Sequence, residues 1–403
     1  MEFITGGVCA PAGFSASGIH CGIRKNHSKK DLALIFSAIK ANAAAIYTKN
    51  RVKGAPLTVT KRHLSHGRAR AVICNSGNAN ACTPDGVEVA ETIARLAAER
   101  LGISQNEVIV ASTGVIGQRL DPAPIRVGIP LLVSSLGENS LDAANAIMTT
   151  DTIVKEAAVT FKLGGAECRL GGIAKGSGMI HPNMATMLVF LTTDAEITPR
   201  LLKEAVAEDA KDSFNMISVD GDTSTNDMVA IMANGLSGAT PITSRGKDYD
   251  TFVSALGLVT KKLCRLIAGD GEGATKLLEC LVTGAGDKKT ARLAARAVVG
   301  SSLVKAAMFG SDANSGRVLC AVGYSGGNVD TAKVSVAFES EYGSIDVCRD
   351  GVGISFSEEK AKRVLTGREI KIIVGLGGGS ESAAAWGCDL SYDYVRINGD
   401  YRT

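Results

Sequence analysis

Short apolar runs closed off by glycine constrain this chain's fold more than any other feature. Residues 71–74, 108–111, 187–191, 228–232, 333–338, 345–348, 370–374 and 394–397 read as strands, and several are almost wholly apolar. A strand that is apolar on both faces must be covered on both, so helices or a second sheet have to lie over it. The 46 glycines against only 9 prolines supply tight turns between short elements. Helices are interleaved. Val89, Ile93, Leu96, Ala97 and Leu101 fall at helical spacing, with Gly102 as a stop. Thr198 and Pro199 form a helix start, with Thr198 as N-cap and Pro199 at the first position. Residues 252–267 and 288–304 continue the series. The pattern predicts a layered α/β or α+β protein. A length of 403 residues suits about two to three domains. The glycine-rich break at Thr283-Gly284-Ala285-Gly286-Asp287 divides it into a main lobe, 1–282, and a smaller C-terminal α/β lobe, 283–403.

Charge and composition remove whole classes of partner. With 44 basic against 41 acidic residues the formal charge is +3, too weak a field to draw the chain onto nucleic acid or an anionic membrane. Aromatic residues are 4%, too few for base-stacking platforms. No run of about 18 apolar residues occurs, and the N-terminal segment lacks the charged and apolar regions of an export signal. The ten cysteines are dispersed without a CxxC pair, as expected of a reduced, cytoplasmic compartment.

The five histidines, at 20, 27, 63, 66 and 181, narrow the chemistry further. Gly323-Tyr324-Ser325-Gly326-Gly327 fits a nucleophile elbow, but no histidine lies downstream and a strand pattern follows, so it reads as a turn. His63 and His66 read as an exposed basic loop, and no metal is expected. The segment 269–276 does not satisfy the phosphate-loop pattern, and its two acids would repel phosphate.

One segment carries chemistry. Lys175-Gly176-Ser177-Gly178-Met179-Ile180-His181-Pro182-Asn183-Met184-Ala185-Thr186 runs straight into the apolar strand 187–191, delivering a threonine at the strand's start. A hydroxyl needs a base to act as nucleophile at neutral pH. His181 is the only nearby histidine; the other solution is to make threonine the first residue of a chain, whose α-amine has a reference pKa of about 7.7–8.0. That solution requires a cut before Thr186. Ser177 beside Lys175 also admits a Ser-Lys hydrolase reading.

The segment 175–190 resembles the self-cleavage and nucleophile motif of the ornithine acetyltransferase family, also called glutamate N-acetyltransferases. The resemblance extends over residues 74–83, 111–117, 147–152, 214–227 and 385–403, in order. It implies an N-terminal-nucleophile-like self-processing fold, cut between Ala185 and Thr186 into an α chain, 1–185, and a β chain, 186–403. It further implies Thr186 as nucleophile for both cleavage and transfer, with Thr113 and Gly114 as oxyanion hole. Thr152, Lys175, Thr186, Glu272, Asn398 and the C-terminal Thr403 would hold the amino-acid substrate. The implied reaction moves acetyl from N-acetylornithine to glutamate in arginine biosynthesis, with no cofactor, acetyl-CoA as an alternative donor, and two α and two β chains in the assembly. Two other readings stay open: a self-processing aminopeptidase or amidase that gives its acyl group to water, and a non-catalytic amino-acid-binding protein. Ala313 and Ser315 depart from the proline and tryptophan expected in that family block, which would alter substrate preference if the block borders the pocket.

Overall fold

The computed structural model describes residues 1–181 and 187–400, arranged in two compact units. The first unit comprises Met1–Gly176, Asn183–Lys211 and Thr223–Leu263; the second comprises Ser177–Pro182, Asp212–Asp222 and Cys264–Thr403.

In the first unit, strands β1 (Glu2–Ile4), β2 (Phe14–Ile19), β3 (Leu32–Tyr47), β4 (Arg68–Asn75), β5 (Val108–Ser112), β6 (Lys155–Leu163), β7 (Ala166–Lys175), β8 (Leu188–Thr193) and β10 (Met228–Ala233) form one nine-stranded sheet. Its order is β1-β6-β7-β8-β10-β3-β4-β5, with β2 paired to β3. Five helices go with it: α1 (Ala55–His63), α2 (Gly86–Leu101), α3 (Ala123–Ser134), α4 (Ser140–Ile147) and α5 (Pro199–Asp209). Alternation along the strands explains why the apolar runs are continuous. Leu32 and Leu34 of β3 and Ala71 and Ile73 of β4 pack with Val89, Ile93 and Ala97 of α2. The intervening Ala33, Ile35, Val72 and Cys74 enter a separate core with Ala143 and Ile147 of α4. At one end of the sheet Lys175, Leu188, Met228 and Tyr47 are successive partners across β7, β8, β10 and β3.

Helix α6 (Lys247–Gly269) belongs to the first unit as far as Leu263 and to the second from Cys264. The second unit contains β9 (Ile217–Ser218), β11 (Leu277–Ala285), β12 (Ser335–Ser340), β13 (Gly343–Arg349), β14 (Val352–Gly353), β15 (Glu369–Gly375) and β16 (Glu381–Cys388), in the order β14-β13-β12-β15-β11-β16-β9. Its helices are α7 (Lys288–Gly300), α8 (Ser302–Phe309), α9 (Ser315–Gly323), α10 (Glu358–Leu365) and α11 (Tyr392–Asp400).

Four expectations need correction. Residues 394–397 are helical: the Ser391 hydroxyl accepts from the Tyr394 amide at 3.4 Å, and Asn398 Nδ2 donates to the Tyr394 carbonyl one turn back at 3.1 Å. The stretch 288–304 is two helices, because Ser301 is extended and its hydroxyl caps the Val304 amide at 3.3 Å. The boundary at 282/283 falls inside β11, which pairs with β15 through Thr283, so the division lies earlier, in α6. His63 is not in an exposed loop: it is buried in α1, with Nδ1 2.8 Å from the Val108 carbonyl. The turn at 323–327 follows α9 and precedes β12, as the missing histidine implied, with Gly326 at φ +76°. Thr198 occupies the N-cap of α5 but makes no side-chain cap bond. No helix among the described residues is long and apolar enough to cross a membrane.

Candidate functional site

The carboxyl ends of the parallel strands β4 and β5 build the first element of the site. Asn75 pairs with Ser112 in register, and the Thr113 amide donates to the Asn75 carbonyl at 2.9 Å. The Asn75 side chain accepts from the amides of Gly77 and Asn78 at 3.2 and 3.0 Å, fixing the neighbouring turn. Gly114 sits against that turn at φ +125°, and a Cβ there would lie 2.7 Å from the backbone carbon of Gly77. Only glycine fits such a position. Among the described residues neither the Gly114 amide nor the Thr113 hydroxyl is spent on an acceptor. Both remain available to a developing oxyanion.

Lys175, at the end of β7, is buried rather than solvated. Around it lies a group of charges that the sequence reading did not single out. Asp151 and Lys155, both with fully buried side chains, form an ion pair at 2.7 Å, and Asp151 also accepts from the Gly176 amide at 2.7 Å. Burial alone would raise the Asp151 carboxyl, but Lys175, Lys155 and these hydrogen bonds hold it well below the usual carboxylate range. Burial lowers the Lys175 ammonium, opposed by Asp151 and Asp227. Burial drives the Asp227 carboxyl well upward, opposed by hydrogen bonds from Ser224 and Thr48 and by the charge of Lys175. The adjacent Asn226 donates to the Ser112 carbonyl at 2.8 Å, so residues 226–227 tie the Thr113-Gly114 turn to the Lys175 cluster. Asp151 precedes Thr152, which is exposed. The sequence blocks 147–152 and 214–227 contained these acids, but nothing in their spacing marked them as buried partners of a lysine.

The second unit assembles the other predicted residues. The Ser177 hydroxyl donates to the Asp270 carbonyl at 2.7 Å, and the Glu272 amide donates to the Ser177 carbonyl at 3.1 Å. Ser177 is therefore structural, against the Ser-Lys reading. A Cβ at Gly178 would lie 2.4 Å from the Glu272 carboxylate, so the segment passes directly against that group. Asn398 Nδ2 donates to Glu272 Oε2 at 2.9 Å, bringing together two predicted substrate contacts 126 positions apart. Asp220 accepts from the amides of Met179 and Ile180 at 2.5 and 2.8 Å and pins the turn at Met179, where φ is +55°. His181 has Nδ1 3.0 Å from Ser218 Oγ, and burial and Arg296 depress it to about 4. Such an imidazole is a weak proton acceptor at neutral pH, which favours an amine as base. Ala185, Thr186 and Thr403 lie outside the described residues. Ala313 is buried and Ser315 opens α9, behind the Asn314 side chain that caps Arg317 at 3.1 Å. No cluster of three His, Cys, Asp or Glu side chains suited to a metal occurs among the described residues.

Comparison with known proteins gives a consistent result. The family model described as the ArgJ family matches residues 15–403. The arginine biosynthesis bifunctional protein ArgJ of Caldanaerobacter subterraneus subsp. tengcongensis is 50% identical, covering 100% of both chains. The protein of the same name from Bacillus subtilis is 46% identical over 99% of this chain and 97% of its own. Among solved structures, the arginine biosynthesis bifunctional protein ArgJ of Bacillus halodurans is similar with a TM-score of 0.50 and 46% identity, covering 53% of this chain and 98% of that one.

Proposed function

The chain belongs to the ArgJ family, and on that premise we propose that it is the bifunctional acetyltransferase of arginine biosynthesis, carrying acetyl from N-acetylornithine to glutamate on Thr186. The hydrogen bond between Glu272 and Asn398 carries this reading to the substrate: a carboxylate oriented by an amide is a receptor for the ammonium of ornithine. Lys175 supplies the opposite charge for a carboxylate, with Thr152 and Thr403 as further contacts.

The chain first cuts itself between Ala185 and Thr186. The freed α-amine then takes the Thr186 hydroxyl proton as Oγ attacks the acetyl carbonyl, and the Gly114 amide and Thr113 hydroxyl stabilise the oxyanion. Ornithine leaves with that proton, glutamate attacks the acetyl ester, and N-acetylglutamate departs. Kinetics are therefore ping-pong. Cleavage is supported by the Bacillus halodurans chain, nearly all of which matches only 53% of this one, close to the share that residues 186–403 make of it. The working form is cytoplasmic, assembled from two α and two β chains, and needs neither metal nor cofactor; acetyl-CoA serves as a second donor.

Ornithine release from N-acetylornithine, measured with and without glutamate, tests the reading. Release that depends on glutamate, from protein whose intact mass shows chains 1–185 and 186–403, is the expected result. Release at the same rate without glutamate identifies a hydrolase, and an uncut chain that turns over nothing identifies a binding protein.

A further inference from the structure

One carboxylate in the second unit is tied to two separate parts of the site. Asp220 accepts from the amides of Met179 and Ile180 at 2.5 and 2.8 Å and from the Asp222 amide at 3.2 Å. The Tyr394 hydroxyl is a further donor to it. An ionised carboxylate offers about four lone-pair positions, so these donors use all of them. Asparagine could not serve, because its NH2 would set a donor against a donor. Burial raises the Asp220 carboxyl, and the three amides oppose that rise.

The first part is the segment ahead of the scissile bond. Met179 has a left-handed backbone at φ +55°, uncommon for a residue with a side chain and kept only where its neighbours fix it. Asp220 fixes it through two successive N–H groups, and the Val219 amide adds a bond to the Ile180 carbonyl at 2.7 Å. Ala185 follows Ile180 by five positions in sequence. The second part is α11, which buries none of its residues, so apolar packing does little to place it. Polar ties place it instead. Ser391 Oγ donates to the Gly273 carbonyl at 2.5 Å, the Tyr394 hydroxyl reaches Asp220, and Asn398 Nδ2 donates both to the Tyr394 carbonyl at 3.1 Å and to Glu272 at 2.9 Å. Tyr394 and Asn398 stand one turn apart on the same helix face. Burial and the charges of Asp220, Glu272 and Asp222 raise the Tyr394 phenol, so it stays protonated and donates.

We propose that Asp220 is a positioning residue for two steps: it orients the segment 177–181 for self-cleavage, and through Tyr394 it holds Asn398 against Glu272 for the ammonium of the substrate. The inference rests on the cleavage and acetyl-transfer reading above. In neither role does Asp220 exchange a proton with substrate. It acts by removing freedom from groups that do the work.

Two variants separate the roles. Tyr394→Phe keeps the ring and both amide bonds and loses only the hydroxyl. It should mature at the wild-type rate, followed by intact mass after cell-free synthesis, and should raise the KM for N-acetylornithine about fivefold with kcat unchanged. Asp220→Asn should slow maturation at least about tenfold, and the fraction that matures should show the same rise in KM. Misfolding would remove active sites, lowering kcat and leaving KM alone, so the split distinguishes positioning from a structural role. Maturation of Asp220→Asn at the wild-type rate, or an unchanged KM in Tyr394→Phe, would overturn the proposal. If Asp220→Asn gives no soluble protein, the KM of Tyr394→Phe decides. Wild-type protein that stays uncut, or matures without transferring acetyl, would instead sink the reading beneath it.

Discussion

The two units hold charge in opposite ways. In the first, Asp151, Lys155, Lys175 and Asp227 are shut away from water, with Asp151 paired to Lys155 and accepting from the Gly176 amide. In the second, Asn398 is exposed and meets Glu272 through one hydrogen bond from a helix that buries none of its residues. A buried set cannot relax when one member is lost, whereas a solvated pair exchanges its partner for water. The first arrangement suits a rigid receptor; the second suits a group that exchanges its partners readily.

Removing Asp151 should break the comparison at its strongest point. Asp151→Ala leaves Lys155 buried without its partner and should cost about 3–5 kcal/mol of stability, measured by urea denaturation. A loss below about 1 kcal/mol would mean that the cluster is not a rigid element.

Thr113→Ala, in the same unit, should leave stability nearly unchanged and act on rate. Loss of one oxyanion donor removes about 2.7–4 kcal/mol of transition-state stabilisation, or roughly 10² to 10³ in kcat, measured on the fraction that has matured. An unchanged kcat would leave the oxyanion to Gly114 alone.

In the second unit, Asn398→Ala should raise the KM for N-acetylornithine about tenfold and alter stability by no more than about 0.5 kcal/mol. A large loss of stability there would erase the contrast between the units.

The smallest effect is a pH slope. Asp227 has a raised carboxyl pKa in the folded state, so the stability it confers is full below the unfolded value of about 3.9 and is lost as pH rises through the folded value. Asp151 has the reverse sign, its contribution being lost as pH falls. Asp227→Asn should therefore flatten the decline of stability with rising pH, followed by denaturation at successive pH values, and Asp151→Asn should flatten only the acid side.

Much of this was open to reading in the chain because it depends on neighbours in sequence. The apolar runs of β4, β5, β8 and β10 follow from continuous burial, β15 from alternating burial, and α2 from its spacing and the Gly102 stop. The Thr113-Gly114 turn and the segment 175–190 were legible as motifs, since both are continuous stretches of sequence. Residues 394–397 were misread because three apolar side chains in four positions suit either period, and the deciding contacts come from Ser391 and Asn398. β3 escaped notice although it is the longest strand, since its alanines carry little pattern; its two faces are defined by separate cores supplied by α2 and α4.

Sequence by itself determined the strand and helix content of most of the chain, the turn that only Gly114 permits, and the family to which segment 175–190 belongs. Only the tertiary structure decided that Lys175 is buried among Asp151, Lys155 and Asp227, that Glu272 meets Asn398, and that the amides of Met179 and Ile180 converge on Asp220. Propensity and turn chemistry act over a few residues, so they are written in the order of the chain. Burial and charge pairing act through space, and Glu272 and Asn398 lie 126 positions apart.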